Sequence, residues 1–406
     1  MTEATDVYAP FDPAFQADPY PAYRRLRDDD PVHRHTDPPF WALSRFEDVW
    51  TAVRDHETFS SASGLTFYED EIGKLGLAPT IVMLDPPRHA VLRRLISHGF
   101  TPRRTSAMET ALRAFVRARL AEIEKREADG ETVDLHQDFA SPLPTFALAE
   151  LLGVPEADRE RFGPWVTALT TFQDRGFDMT EGPAVQAVAE MFEYFGQVVA
   201  DRRAAPRDDM ISALTAAEAD GEKLTDWDVL GFCFVLVAGG NDTTGNLISH
   251  AVALLSRYPD QRALLARDPA LIPNALAEFL RMEGSAQALG RTTTRPVTIR
   301  GVEIPAGEKV MMLYGAANRD EREFGPSADV LDVTREIPRH LGFGSGVHFC
   351  IGSHLAKLQA RIALEELLAA HPDVEVDQPR AKRIMSPFTR GWVSLPASLG
   401  GPPRRG

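Results

Sequence analysis

Cysteine occurs only twice in the 406 residues. Cys350 stands in "FGSGVHFCIG", Phe343 to Gly352. Gly344, Gly346 and Gly352 surround it, and glycine permits tight turns and the close approach of a large group. Helical periodicity begins about one residue later, in "SHLAKLQARIALEELLAAHP". The sulfur therefore stands near a helix N-terminus, where free N–H groups and the dipole favour a thiolate. A thiolate there suits a metal ion, and donors to the sulfur tune that metal. The same residues allow two other readings. One is a buried structural thiol; the other is a nucleophile with His348 or His354 as its base.

Three more stretches carry residues of chemical interest. "LVAGGNDTTGN" places two glycines, an asparagine and two threonines inside an apolar helical pattern. All of them weaken a helix, and such local conflict points to function or to close helix packing. Thr243 and Thr244 can alternatively bond back to preceding carbonyls. "EFLR" puts Glu278 and Arg281 on one helix face. "DPPRHAVLRR" does the same for His89 and Arg93. On residue types alone, a solvated ion pair and a basic surface account for the last two.

These residues need elements to hold them. Helical spacing dominates from Ala107 onward, as in "METALRAFVRARLAEIEKREADG" and "TDWDVLGFCFVLVAGGNDTTGNLISHAVALLSRYP". Strand signals are few, the clearest being "RPVTIRGVEIPAGEKVMML". The chain is expected to be mainly α with small β-sheets. No repeat, linker or break in composition divides it, so residues 1–406 are expected to form a single domain. Apolar residues make up 44% of the chain, enough for a sizeable core. The formal charge of -15 argues against a nucleic-acid partner. The longest apolar run, Val229–Gly240, is too short to span a bilayer. No basic start leads into an apolar run, and two cysteines make no disulfide framework. A cytoplasmic protein is expected.

Taken together, Phe343-Gly344-x-Gly346-x-His348-x-Cys350-x-Gly352 resembles the heme-ligand loop of the cytochrome P-450 family. "DPPRH", the glycine-threonine helix, "EFLR" and "ANRDEREFGPSADVLDVTR" follow in that family's order, so the resemblance covers nearly the whole chain. It implies the triangular, mainly helical prism of these enzymes and a heme b cofactor with Cys350 as the iron ligand. It implies that Gly239 and Gly240 make room for dioxygen, Thr243 hydrogen-bonds it, and Asp242 passes protons. His89, Arg93, Arg291 and His348 match partners of the heme propionates, and Phe343, Gly352 and Gly239 belong to the cofactor site. Glu278, Arg281 and Arg335 match a buried structural anchor. By the same analogy the substrate pocket draws on Phe67, Tyr68, Phe172, Phe232, Leu236, Ala286 and Phe388. After the "EFLR" helix this chain has "EGSAQALGR", where relatives show a proline and a larger aliphatic. Small Ser285 and Ala286 there imply a roomier pocket.

The activity implied is insertion of one oxygen atom from O2 into an apolar molecule such as a fatty acid, terpenoid or steroid. No flavin or nicotinamide fingerprint and no iron–sulfur cysteine set is present. Electrons are therefore expected from a separate ferredoxin or flavodoxin with its reductase, docking on a face with Arg94, Arg103, Arg104, Lys357 and Arg361. Two alternatives stay open: a peroxide-using heme enzyme, against which the Asp242–Thr243 pair speaks, and a heme or ligand sensor.

Overall fold

The apolar stretch after Thr225 folds as one long helix, Asp226–Arg257. Thr225 caps its start in a reciprocal pair with Asp228, which satisfies two N–H groups otherwise left bare. From Thr244 to Leu255 every residue is buried, so this half is covered on all sides and runs through the core. Helices Pro142–Leu152, Phe162–Gln173, Pro183–Ala204 and Ser353–Ala370 pack around it. Gly245 permits one such approach, since a Cβ there would lie 3.2 Å from the Ser141 Cα. The computed structural model describes residues 7–68, 71, 73, 79–97, 99–173, 183–219 and 221–400.

The β component is small. One five-stranded sheet has the order Val32–Thr36, Pro39–Leu43, Lys309–Leu313, Ala288–Thr293, Phe59–Ser60. Its pairs are antiparallel except Pro39–Leu43 with Lys309–Leu313. Alternation along Ala288–Thr293 sends Leu289 and Arg291 to the same face. "RPVTIRGVEI" forms the hairpin Val297–Ile299 with Val302–Ile304. Arg300 and Gly301 take φ of 51° and 82°, the backbone a two-residue turn requires. Among the described residues, no helix is long and apolar enough to cross a membrane.

Helix Ile272–Met282 buries Glu278 and Arg281 almost completely. Arg281 donates to both Glu278 oxygens, at 2.7 and 2.8 Å, and to the Asn318 and Ala328 carbonyls. Arg335 Nε reaches the same carboxylate at 3.3 Å. This knot ties the helix to the loop that leads to Cys350. Glu278→Ala strands a buried guanidinium, and removing one partner of such a pair costs about 3–5 kcal/mol. The urea midpoint is expected to fall accordingly, and a loss under 1 kcal/mol (the scale of an exposed pair) would contradict this.

Two core histidines make stability depend on pH. Burial lowers His136 to about 4, although Asp134 works against it. Burial also lowers His250 to about 3, opposed by Glu283 and aided by Arg383 and Arg390. His136 Nδ1 lies 3.0 Å from Ser249 Oγ, and His250 Nδ1 2.8 Å from the Glu283 carbonyl. Both rings are neutral in the fold, whereas in the unfolded chain they take up protons near pH 6.5. Their stabilisation is therefore complete above about pH 6.5 and is lost as pH falls toward 3–4. The unfolding free energy is expected to drop between pH 7 and 4.5, with a shallower slope in His136→Gln. An unchanged slope in that variant would assign the acid sensitivity to other groups.

Candidate active site

The cysteine helix begins at Ser353, with Gly352 as its cap, slightly later than the periodicity suggests. Before it, Gly344 and Gly346 adopt φ of 66° and 70°, open to glycine at no steric cost. A Cβ at Gly346 would also stand 2.9 Å from the Val53 carbonyl. These turns fold the loop back so that the Cys350 N–H donates to the Phe343 carbonyl at 3.0 Å. Burial pushes the Cys350 thiol up, while the N–H groups of Gly352 and Ser353 and the Arg93 guanidinium pull it down. That environment disfavours a free thiolate and supplies donors for a sulfur whose charge a bound cation offsets.

Cys350 lies on the wall of a cavity of about 340 Å³. The long helix supplies another part of that wall through Gly239, Gly240, Thr243 and Thr244. A Cβ on Gly239 would meet nothing within 4 Å, so the missing side chain leaves open space. The helix stays regular through this segment. Thr243 Oγ1 donates to the Gly239 carbonyl at 2.8 Å, the back-bond open to a threonine within a helix. Asp242 is half-buried and is not among the cavity-lining residues.

Basic side chains gather at one end. His89, Arg93, Arg291 and His348 all reach the cavity. The His89 and His348 rings lie 4.3 Å apart. Arg93 Nη2 donates to the Phe349 carbonyl at 2.5 Å, and Arg291 Nη1 to the Gly290 carbonyl at 2.6 Å. His348 Nε2 lies 3.2 Å from Ser61 Oγ. Burial, then the charge on Arg93, lowers His89. Burial, then Arg291, His89 and Arg93, lowers His348 to about 3. Both ring nitrogens of His89 are buried without a hydrogen-bond partner. Asp85, outside the cavity lining, acts on His89, and a dicarboxylate in the cavity would satisfy the remaining basic groups. A heme would therefore fit: a sulfur with N–H donors, a largely apolar cavity, and two arginines with two histidines gathered at one part of its wall.

The remaining expectations divide. Phe343, Gly352, Phe232, Leu236 and Ala286 line the cavity, as does Ser285. Phe67, Tyr68 and Phe388, expected in the substrate pocket, are not among its lining residues. They pack on one another, with ring centroids 4.8 Å apart for Phe67–Phe388 and for Phe67–Tyr68. Phe67 also stacks on Phe40, at 4.8 Å. Aromatic rings gain more from mutual contact than from bordering a void. Phe172 lies in helix Phe162–Gln173, and its side chain lies outside the described residues. Ile81, Phe100 and Gln359 line the cavity unanticipated. Gln359 had a signal: it is a polar residue on the stripe Leu355, Gln359, Ile362 of an otherwise apolar face.

Comparison with known proteins agrees with this geometry. The family model described as Cytochrome P-450 matches residues 270–396. The chain is 46% identical over 389 residues to cytochrome P-450 130 of Mycobacterium tuberculosis, covering 93% of this chain and 94% of that protein. It is 35% identical over 407 residues to vitamin D(3) 25-hydroxylase of Pseudonocardia autotrophica, covering 98% of each. A solved Bacillus megaterium structure, CYP109E1 in complex with testosterone, superposes with a TM-score of 0.84 at 29% identity, covering 95% of this chain and 100% of that one. With whole-length relatives above 30% identity, and a largely apolar cavity with a cysteine and basic side chains on its wall, the chain belongs to the cytochrome P-450 family of heme-dependent monooxygenases.

Proposed function

We propose that residues 1–406 form one heme-thiolate domain in which Cys350 is the iron ligand, and that the enzyme hydroxylates a steroid-like molecule. The observation that carries this is Cys350 on the cavity wall, with N–H donors at its sulfur and four basic side chains at one end. Heme, when bound, activates O2 so that one atom enters the substrate and the other leaves as water, using two electrons and two protons. The residues of the chain do the rest. His89, Arg93, Arg291 and His348 hold the propionates. Gly239 and Gly240 leave room for O2 beside the long helix. Thr243 Oγ1 holds a proton at that opening, resting on the Gly239 carbonyl. Asp242, one residue earlier, replaces that proton from solvent. Phe232, Leu236, Ala286 and Leu289 exclude water around the substrate. The relatives' names divide: one is named for vitamin D(3), one was solved with testosterone, and one is a methyl-branched lipid omega-hydroxylase. The preference for a steroid-like class over a fatty acid rests on the pocket. The small Ser285 and Ala286 suit a broad, rigid ring system.

The electrons are proposed to come from a ferredoxin or flavodoxin with its reductase. Of the basic residues considered for docking, Arg104 donates to Asp208 and to the Asp209 carbonyl, and Arg361 pairs with Glu109 and Glu365. Those two are largely neutralised. Lys357, exposed and over the Phe343 ring at 5.5 Å, lies beside the cysteine loop. Both cysteines are free, which fits the reducing cytoplasm as the site of action.

The test is a panel of steroids, fatty acids and terpenoids added to the heme-loaded protein. A steroid-class ligand is expected to shift the Soret band. With a ferredoxin and its reductase it should yield a product heavier by one oxygen atom. Shifts only with fatty acids would move the substrate class. Product from peroxide alone, at the same rate, would favour the peroxide-using alternative.

A further inference from the structure

Glu71 carries a carboxylate into the interior. It is 2% exposed and stands outside the cavity lining. One of its oxygens, Oε2, accepts from three donors: the Leu65 N–H at 2.9 Å, the Thr66 N–H at 2.8 Å and the Thr66 hydroxyl at 2.7 Å. Gly64 permits this approach, since a Cβ there would collide with the carboxylate. From strand Lys309–Leu313, the Lys309 ammonium donates to the Ser63 carbonyl at 2.6 Å. An anion thus holds the N–H groups of this short segment, and a cation holds one of its carbonyls. The segment lies in turn on strand Ala288–Thr293. The Gly290 N–H donates to the Leu65 carbonyl at 2.5 Å, and a Cβ at Gly290 would stand 2.8 Å from the Thr66 carbonyl oxygen. Of Ser63, Gly64, Leu65 and Thr66, only Leu65 lines the cavity, together with Leu289 and Arg291 on either side of Gly290.

A leucine side chain has no directional bonds of its own, so its place in a wall is set by its backbone. Hydrogen bonds to a charged acceptor are short and strong, and a buried site strengthens them further. Burying a carboxylate costs free energy unless donors replace its water, and here three of them converge on one oxygen. Packing alone would be served by an apolar residue at position 71; fixing a backbone is not. We propose that Glu71 is a specificity-determining positioning residue: it fixes Leu65 at the cavity wall, and Leu65 limits how large a group the cavity admits beside the heme. Glu71 acts through Leu65 and reaches neither cofactor nor substrate. This role requires a heme in the cavity and no particular substrate class, so it does not depend on the steroid reading.

The test titrates the heme-loaded protein with two azoles and follows the Soret band. Imidazole is small and reports the iron site alone. Clotrimazole, an imidazole bearing a carbon with three aryl rings, also reports the wall. Glu71→Gln keeps the shape and loses the charge. Clotrimazole should bind it about tenfold more weakly, the scale of a hydrogen bond to a charged group. Imidazole should bind as before, with heme content and Soret position unchanged. The Leu65 and Thr66 amides should exchange slowly in the native holoenzyme and faster in the variant. Leu65→Ala should by itself change the clotrimazole affinity. Adding Glu71→Gln to Leu65→Ala should then change nothing more, because the effect runs through Leu65. A merely structural role would weaken both azoles together or lower the heme content. Equal losses for the two azoles, loss of heme in Glu71→Gln, native clotrimazole affinity in either single variant, or additive losses in the double variant would each overturn the proposal.

Discussion

Cys350→Ala is expected to fold and to make no product. The side chain belongs to none of the four apolar core clusters, and the loop's hydrogen bond from the Cys350 N–H to the Phe343 carbonyl is a backbone one. Alanine keeps it. Stability should change by no more than about 1 kcal/mol, the range of a substitution outside the core. The chemistry loses its strongest metal donor, because no backbone group or alanine methyl replaces a thiolate. His348 Nε2 lies against Ser61 Oγ, and His89 stacks near it, away from the position that the Cys350 sulfur leaves. Turnover should fall to the background of a protein without enzyme, while circular dichroism and the urea midpoint stay near native. A variant that folds and turns over would move the ligand role elsewhere. One that fails to fold would give Cys350 a structural task that its surroundings do not suggest.

Thr243→Ala is expected to bind substrate and consume reductant normally, yet release most of the reducing power as hydrogen peroxide. The hydroxyl is the only polar group that this side chain brings to the cavity wall. Its partner is the Gly239 carbonyl, in the helix itself, so removing it costs little packing. Losing one positioned proton donor lowers the proton-dependent step on the order of a hundredfold or more. Product per reductant should fall accordingly. Thr243→Ser, which keeps the hydroxyl, should recover most of it. Unchanged coupling in Thr243→Ala would assign the donor to Thr244 or to water.

Much of this was legible in the sequence wherever the cause is local. The glycines of the cysteine loop take positive φ, and the helix starts just beyond. The hairpin at Arg300–Gly301 and the long capped helix are local in the same sense. What stayed hidden depends on which distant residues meet. Phe67, Tyr68 and Phe388 have the right character for a pocket wall, but nothing in their spacing says that they will pack on one another. Arg361 reads as a free surface charge until Glu109, far back in the chain, comes beside it. Gln359 was visible as an exception to its stripe. What it faces needed the fold, because the cavity wall brings Gln359 together with residues of the long helix and of segments far back in the chain.

Cys350 as thiolate ligand is the central claim, and the reduced carbon monoxide complex of the native protein tests it most directly. Thiolate ligation by Cys350 would move the Soret band of that complex to much longer wavelength than a neutral ligand would. The account predicts that long-wavelength band in native protein and its loss in Cys350→Ala. A band at the shorter wavelength typical of histidine ligation in freshly reduced, folded native protein would contradict it.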